Sequence, residues 1–113
     1  MIQAILHENP NGNLYGFTVK GHAESVPEGE YDLICAAVSM LTHNIVHGLE
    51  ALSPDEVIYH VGDDGFLDAY VPEAKAGNAS EETALLLDLL QLGLHDLEEQ
   101  YRSFIRVRRH SLL

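Results

Sequence analysis

The sequence predicts an α+β fold: a single small domain spanning 1–113, a mixed β-sheet with two helices packed on one face, in the order β-β-α-β-β-α-β. Three observations carry that reading. Short apolar-polar alternations flanked by turn residues recur along the chain. Two long segments repeat their apolar residues at three- and four-residue steps. The length, 113 residues of which 46% are hydrophobic, suffices for one core and leaves no room for a second. Two helices on one face of a sheet is the simplest way to bury such segments.

Met1 to Glu8 reads as a strand, with Ile2, Ala4 and Leu6 alternating against Gln3 and His7 and only Ile5 out of phase. Asn9-Pro10-Asn11-Gly12-Asn13 is a turn, because Gly and Asn accept positive φ and Pro stops a ladder. Leu14 to Lys20 alternates again, which pairs the first two strands as a hairpin. Gly21 to Tyr31, with Ser, Pro and three Glu, reads as a surface loop. Asp32 is a good N-cap for the helix that follows, whose apolar face is Ile34, Val38, Leu41, Ile45, Leu49 and Leu52. Ser53-Pro54-Asp55 ends it. Val57–Val61 and Phe66–Val71 are strands of a second hairpin around Gly62-Asp63-Asp64-Gly65, and Pro72–Asn78 reads as a loop. Ser80 with Glu81 and Glu82 opens the second helix, in which Leu85, Leu86, Leu89, Leu90, Leu92, Leu94 and Leu97 make an unusually wide apolar face. Gly93 inside that helix costs about 1 kcal/mol against Ala, which suggests close packing on a neighbouring backbone. Ser103 to Arg109 is the closing strand.

The charge is strongly acidic: six Lys plus Arg against eighteen Asp plus Glu, a net −12 and a pI near 4.7. Such a surface repels phosphate backbones, so no direct nucleic-acid role is expected, and a basic partner is drawn in by the summed field unless the charge serves only solubility. One Cys excludes an intrachain disulfide and suits a reducing compartment. No signal peptide and no apolar run of about 18 residues is read, so the expectation is a soluble, cytoplasmic chain without a membrane association.

No phosphate loop, paired-Cys metal motif or nucleophile elbow occurs. Cys35 falls three residues after Asp32, in the first turn of the first helix, where free N–H groups favour a thiolate and suit an oxyanion. The same Cys also reads as a small buried apolar residue, as most lone cysteines are. His22, after Lys20-Gly21 at a strand end, is the natural general base, delivered by the loop between it and Cys35; alternatively it only solvates a sheet edge. His43 and His47 share a helix face at i, i+4 with Glu50 beyond, a rival metal site lacking further ligands. Asp63, Asp64 and Asp68 do not follow the EF-hand spacing and read as hairpin residues. No metal and no cofactor is expected.

Gly21-His22-Ala23, a loop containing Gly29, and then Asp32-Leu33-Ile34-Cys35-Ala36-Ala37-Val38-Ser39 resemble the signature of the ribosomal-processing cysteine protease family, Prp. Gly-Phe-Thr-Val ahead of Gly21, the Leu-rich second helix reaching Gly-Leu and the strand after Tyr101 extend the resemblance over most of the chain. It implies a small homodimeric cytoplasmic cysteine endopeptidase of bacteria that removes the N-terminal extension of large-subunit ribosomal protein twenty-seven during ribosome assembly. It implies Cys35 as nucleophile and His22 as general base, without a metal. Asp32 and Ser39 match further signature positions, Asp32 as helix cap and loop holder and Ser39 lining a substrate groove one turn on. Gly21 belongs to the same signature, and the small side chain of Ala36 leaves room for a peptide backbone. Two residues, Glu30 and Tyr31, stand between the loop Gly29 and Asp32 where the signature has one. Glu24, Glu28 and Glu30 make this loop acidic, which suits a basic ribosomal protein as substrate. A second class of function is kept beside the protease: a dimeric, non-catalytic ribosome-associated binding or assembly module. Weaker alternatives are a metal-dependent hydrolase using His43 and His47, and a regulatory thiol.

Overall fold

The structure, a computed structural model, describes residues 1–27 and 32–111. Residues Glu28, Gly29, Glu30 and Tyr31, which carry part of the expected loop, lie outside the described residues. Five strands and three helices follow in the order β1 (Ile2–Glu8), β2 (Leu14–Lys20), α1 (Leu33–Leu52), β3 (Ile58–Val61), β4 (Leu67–Tyr70), α2 (Pro72–Lys75), α3 (Glu81–Gln100) and β5 (Ile105–Ser111). The sheet is mixed, in the strand order β3-β4-β2-β1-β5: β1 and β5 are parallel and every other pair is antiparallel.

The hairpin β1–β2 turns where the Asn and Gly cluster predicts. Asn9 is buried, its amide oxygen accepts the N–H groups of Asn11 and Asn13, and its amide nitrogen donates to the Ala74 carbonyl 3.0 Å away. One side chain thus closes the turn and ties it to α2. Ile2, Ala4 and Leu6 of β1 point into the core with Phe17, Val19, Leu67, Ala69 and Ile105, and the helices close over them through Ile34, Val38, Ile45, Leu49, Leu87, Leu90 and Leu94.

Two expectations about the elements need correction. Pro72–Asn78 is not wholly a loop: Pro72, which fits the first helical position because its missing N–H is not needed there, starts the one-turn α2, and Gly77 at φ 88° leaves it. The closing strand begins two residues later than expected, because Phe104 N–H donates to the Tyr101 carbonyl in a turn, and Ile2 N–H then donates to the Phe104 carbonyl at 2.8 Å. Gly93 does mark a close approach, but to a side chain: a Cβ there would lie 2.8 Å from Leu41 Cδ2 of α1. A methyl there would displace the end of the Leu41 side chain, which is free to turn aside. Among the described residues no helix is long and apolar enough to cross a membrane.

Candidate active site

Helix α1 begins at Leu33 because Asp32 caps it. One carboxylate oxygen of Asp32 accepts Ile34 N–H at 3.0 Å and Cys35 N–H at 3.2 Å; the same carboxylate also accepts the Ser25 N–H at 2.9 Å and its hydroxyl at 2.7 Å. Burial opposes the Asp32 charge, but the Ser25 hydroxyl, then the N–H groups of Ser25, Cys35 and Ile34, outweigh it and hold the carboxyl at about 2. The cap is therefore also the clasp that fastens the loop after His22 to the start of α1.

That clasp places Cys35. Its Sγ accepts a hydrogen bond from Ala23 N–H at 3.3 Å, so the residue directly after His22 lies against the thiol. Ala23 is buried and Glu24 follows at φ 57°, a left-handed conformation that turns the chain sharply away from the site. Cys35 is half-buried and free of any disulfide.

Cys35 and His22 line one cavity of about 210 Å³. Gly21 and Ser39 line it too, as do Val38, Thr42 and His43 of α1 and Val61, Gly62, Gly65, Phe66 and Leu67 of the second hairpin. Ala36 lies half-buried on α1 outside this lining, its N–H donating to the Asp32 carbonyl. His47 is exposed, and among the described residues no third His, Cys, Asp or Glu joins it and His43 into a ligand set. The imidazole of His22 is turned to the second hairpin: its Nε2 stands 3.7 Å from Asp64 Oδ1 at the tip of the β3–β4 turn.

The first-turn N–H groups expected to hold an oxyanion are largely engaged, since Asp32 takes those of Ile34 and Cys35 by its side chain and that of Ala36 by its carbonyl. The donor aimed at the sulfur comes instead from Ala23 in the loop. Sequence reasoning missed this, and it missed the contribution of the second hairpin, whose exposed Val61 and Phe66 give no periodicity that marks a wall of a cavity.

The family model of cysteine protease Prp matches residues 1–106. The ribosomal processing cysteine protease Prp of Bacillus subtilis (strain 168) is 28% identical over 108 residues, 95% of this chain and 96% of that protein. Among solved structures, SMU.848 from Streptococcus mutans is 31% identical with a TM-score of 0.81 over 98% of this chain and 95% of that one. The essential ribosomal processing protease Prp from S. aureus, in complex with a covalently linked product peptide, superposes with a TM-score of 0.85 over 97% of this chain and 100% of that one, and at 22% identity it carries the fold alone. With the family model covering most of its length, the chain belongs to the cysteine protease Prp family.

Proposed function

We propose that this protease removes the N-terminal extension of large-subunit ribosomal protein twenty-seven, with Cys35 as nucleophile and His22 as general base. The observation that carries the reading is the Ala23 N–H on Cys35 Sγ at 3.3 Å, which puts His22 one residue from the thiol and in the same cavity. His22 takes the thiol proton as Sγ bonds to the scissile carbonyl carbon. The C–N bond then breaks as the imidazole returns that proton to the leaving amine, and water, deprotonated by His22, releases the acyl group. Ala23 N–H, donating to Cys35 Sγ, favours the negative charge that the sulfur carries as a thiolate. Asp32 holds the loop and the helix start in register, Gly21 admits the turn at φ 90°, and the exposed Ser39 lines the cavity that takes the peptide, while Ala36 stands outside it.

A net charge of −12 favours a basic ribosomal protein as substrate and disfavours nucleic acid. The chain works in the cytoplasm as a homodimer, joined through the exposed Leu85, Leu89 and Leu92 of α3. The non-catalytic reading draws on the orientation of His22 toward Asp64. A peptide spanning the extension separates the two. The protease cleaves it at one bond, read by mass spectrometry; Cys35→Ala abolishes cleavage and His22→Ala cuts it by about a hundredfold or more. An intact peptide after prolonged incubation would refute the proposal. Activity unchanged by a chelator sets aside His43 and His47.

A further inference from the structure

The two edges of the sheet differ in a way that bears on how a substrate chain is held. The β5 edge carries Arg106, Arg108, Arg109 and His110, the charged side chains by which proteins commonly discourage another strand from adding on. The β3 edge, Ile58-Tyr59-His60-Val61, carries no Lys, Arg, Asp or Glu, and leaves Tyr59 43% and Val61 61% exposed. An apolar edge without such protection is a liability unless something pairs with it.

The register identifies which groups are on offer. Gly62 N–H donates to the Phe66 carbonyl at 3.0 Å, so Gly62 and Phe66 form a hydrogen-bonded antiparallel pair. Alternation then makes His60 with Asp68 and Ile58 with Tyr70 the inward-bonded pairs. Tyr59 and Val61 turn their N–H and C=O groups outward, and their side chains share the sheet face of their partners Ala69 and Leu67, which are buried under the helices. Val61 and Gly62 also line the cavity that holds Cys35. Among the described residues no strand pairs with this edge of β3, and the edge leads into the site.

We infer that the substrate docks as an extended strand on the free edge of β3, pairing its main chain with Tyr59 and Val61 so that the scissile bond reaches Cys35. The inference rests on the proteolytic reading above. The occupant is an extended segment with alternating apolar side chains, which fit Tyr59, Val61 and the apolar cavity wall, and with basic flanks, which meet Asp63 and Asp64 at the strand's end. Main-chain pairing supplies affinity, and the pocket beside Cys35 supplies the choice of side chain.

The test uses peptides spanning the extension of large-subunit ribosomal protein twenty-seven with single N-methyl groups walked along the backbone. Methylation at every second residue raises KM about two- to tenfold, and methylation at the alternate residues leaves it unchanged, because only one parity faces β3. On the protein side, Tyr59→Pro deletes an outward N–H while sparing the ladder to β4, and raises KM about two- to tenfold over Tyr59→Ala, which keeps that N–H. Should Tyr59→Pro fail to fold, the methylated peptides decide alone. In Cys35→Ser, the amides of Tyr59 and Val61 gain hydrogen-exchange protection when the unmodified peptide is added. Cleavage with no parity effect and no protection overturns edge pairing while leaving the protease intact; protection without any cleavage by the wild type refutes the protease and keeps the docking. Protection of the free protein that grows with protein concentration assigns the edge to a second copy and overturns the inference.

Discussion

His22 Nε2 faces Asp64 Oδ1 at 3.7 Å, and the two residues come from opposite walls of the cavity: a strand end on one side, a hairpin tip on the other. A carboxylate on Nε2 favours the tautomer that carries its proton there, leaving Nδ1 bare for the thiol proton that the proposed mechanism transfers. Both side chains are exposed, so the contact is weak and its effect modest. Asp64→Ala should lower kcat about two- to fivefold with KM unchanged, and Asp64→Glu should restore most of it. Steady-state cleavage of the extension peptide checks this; a change confined to KM would assign Asp64 to substrate binding instead.

The hairpin tip also touches the loop through its backbone. A Cβ on Gly65, itself at φ 73°, would sit 2.7 Å from the Gly21 carbonyl oxygen. Gly65→Ala therefore meets a left-handed conformation and a clash with main chain at once. It should cost about 1–2 kcal/mol in urea unfolding and lower cleavage by more than that loss explains, since the tip must withdraw from His22. Full activity in Gly65→Ala would mean that the tip does not order the site.

Asp32 ties stability to pH. Its carboxyl sits at about 2 in the fold against an ordinary 3.8, so its contribution is complete above 3.8 and disappears as pH falls toward 2. Asp32→Asn keeps a capping side chain but does not titrate, and should lose this part of the acid sensitivity. Asp32→Ala should cost about 0.5–2 kcal/mol at neutral pH and release the Ser25 loop. Thermal melts of the three proteins between about pH 2 and 5 test the argument. Parallel acid curves for wild type and Asp32→Asn would refute it.

His7 gives a second window of the same sign at higher pH. Thr18 donates its hydroxyl to Asp68 at 2.6 Å, so at 2.8 Å from the same oxygen His7 Nε2 is the donor. Burial lowers the His7 pKa from 6.5; Asp68 pulls it upward and His110 again downward. With the folded-state value depressed, the unfolded chain protonates first, so stability is complete above 6.5 and is lost as pH falls below it. His7→Gln should flatten the change in urea midpoint between about pH 7.5 and 5. An undiminished change would place the sensitivity elsewhere.

Local structure was legible where the chemistry is local. Asp32 and Ser80 announce both long helices, and each accepts the N–H groups that a cap should. The turn at Asn9–Asn13 is equally plain. The order of the strands was not, because β5 pairs with β1 from the opposite end of the chain and no local signal carries that pairing. The one-turn α2 was missed because Pro72 reads equally as the end of one element and the start of another. In the site, the motif singled out Cys35 and His22, which the fold brings to one cavity. The Ala23 N–H was not legible, since it depends on how the Ser25–Asp32 clasp folds the loop. Nor were the Asp64 carboxylate and the wall from β3 and β4, since they depend on a hairpin folding back over residues distant in sequence. The wide leucine face of the second helix divides in the fold: Leu90 and Leu94 are buried, Leu86 and Leu97 are half-buried, and Leu85, Leu89 and Leu92 stand outside.

Leu85, Leu89 and Leu92 are 70%, 53% and 62% exposed and follow at steps of four and three, a continuous stripe along α3 facing away from the core residues Leu87, Leu90 and Leu94. If the stripe is the dimer interface, its apolar contact must overcome repulsion between two chains of net −12, so association should strengthen as salt screens that charge. Leu85→Glu with Leu89→Glu should leave a folded monomer, because exposed substitutions away from caps and core shift stability by only about 0.5 kcal/mol. Sedimentation velocity at low and high salt reads both effects: a wild-type dimer that tightens with salt, and a double variant that stays monomeric at either. A double variant that still dimerises would move the interface to another face of the molecule.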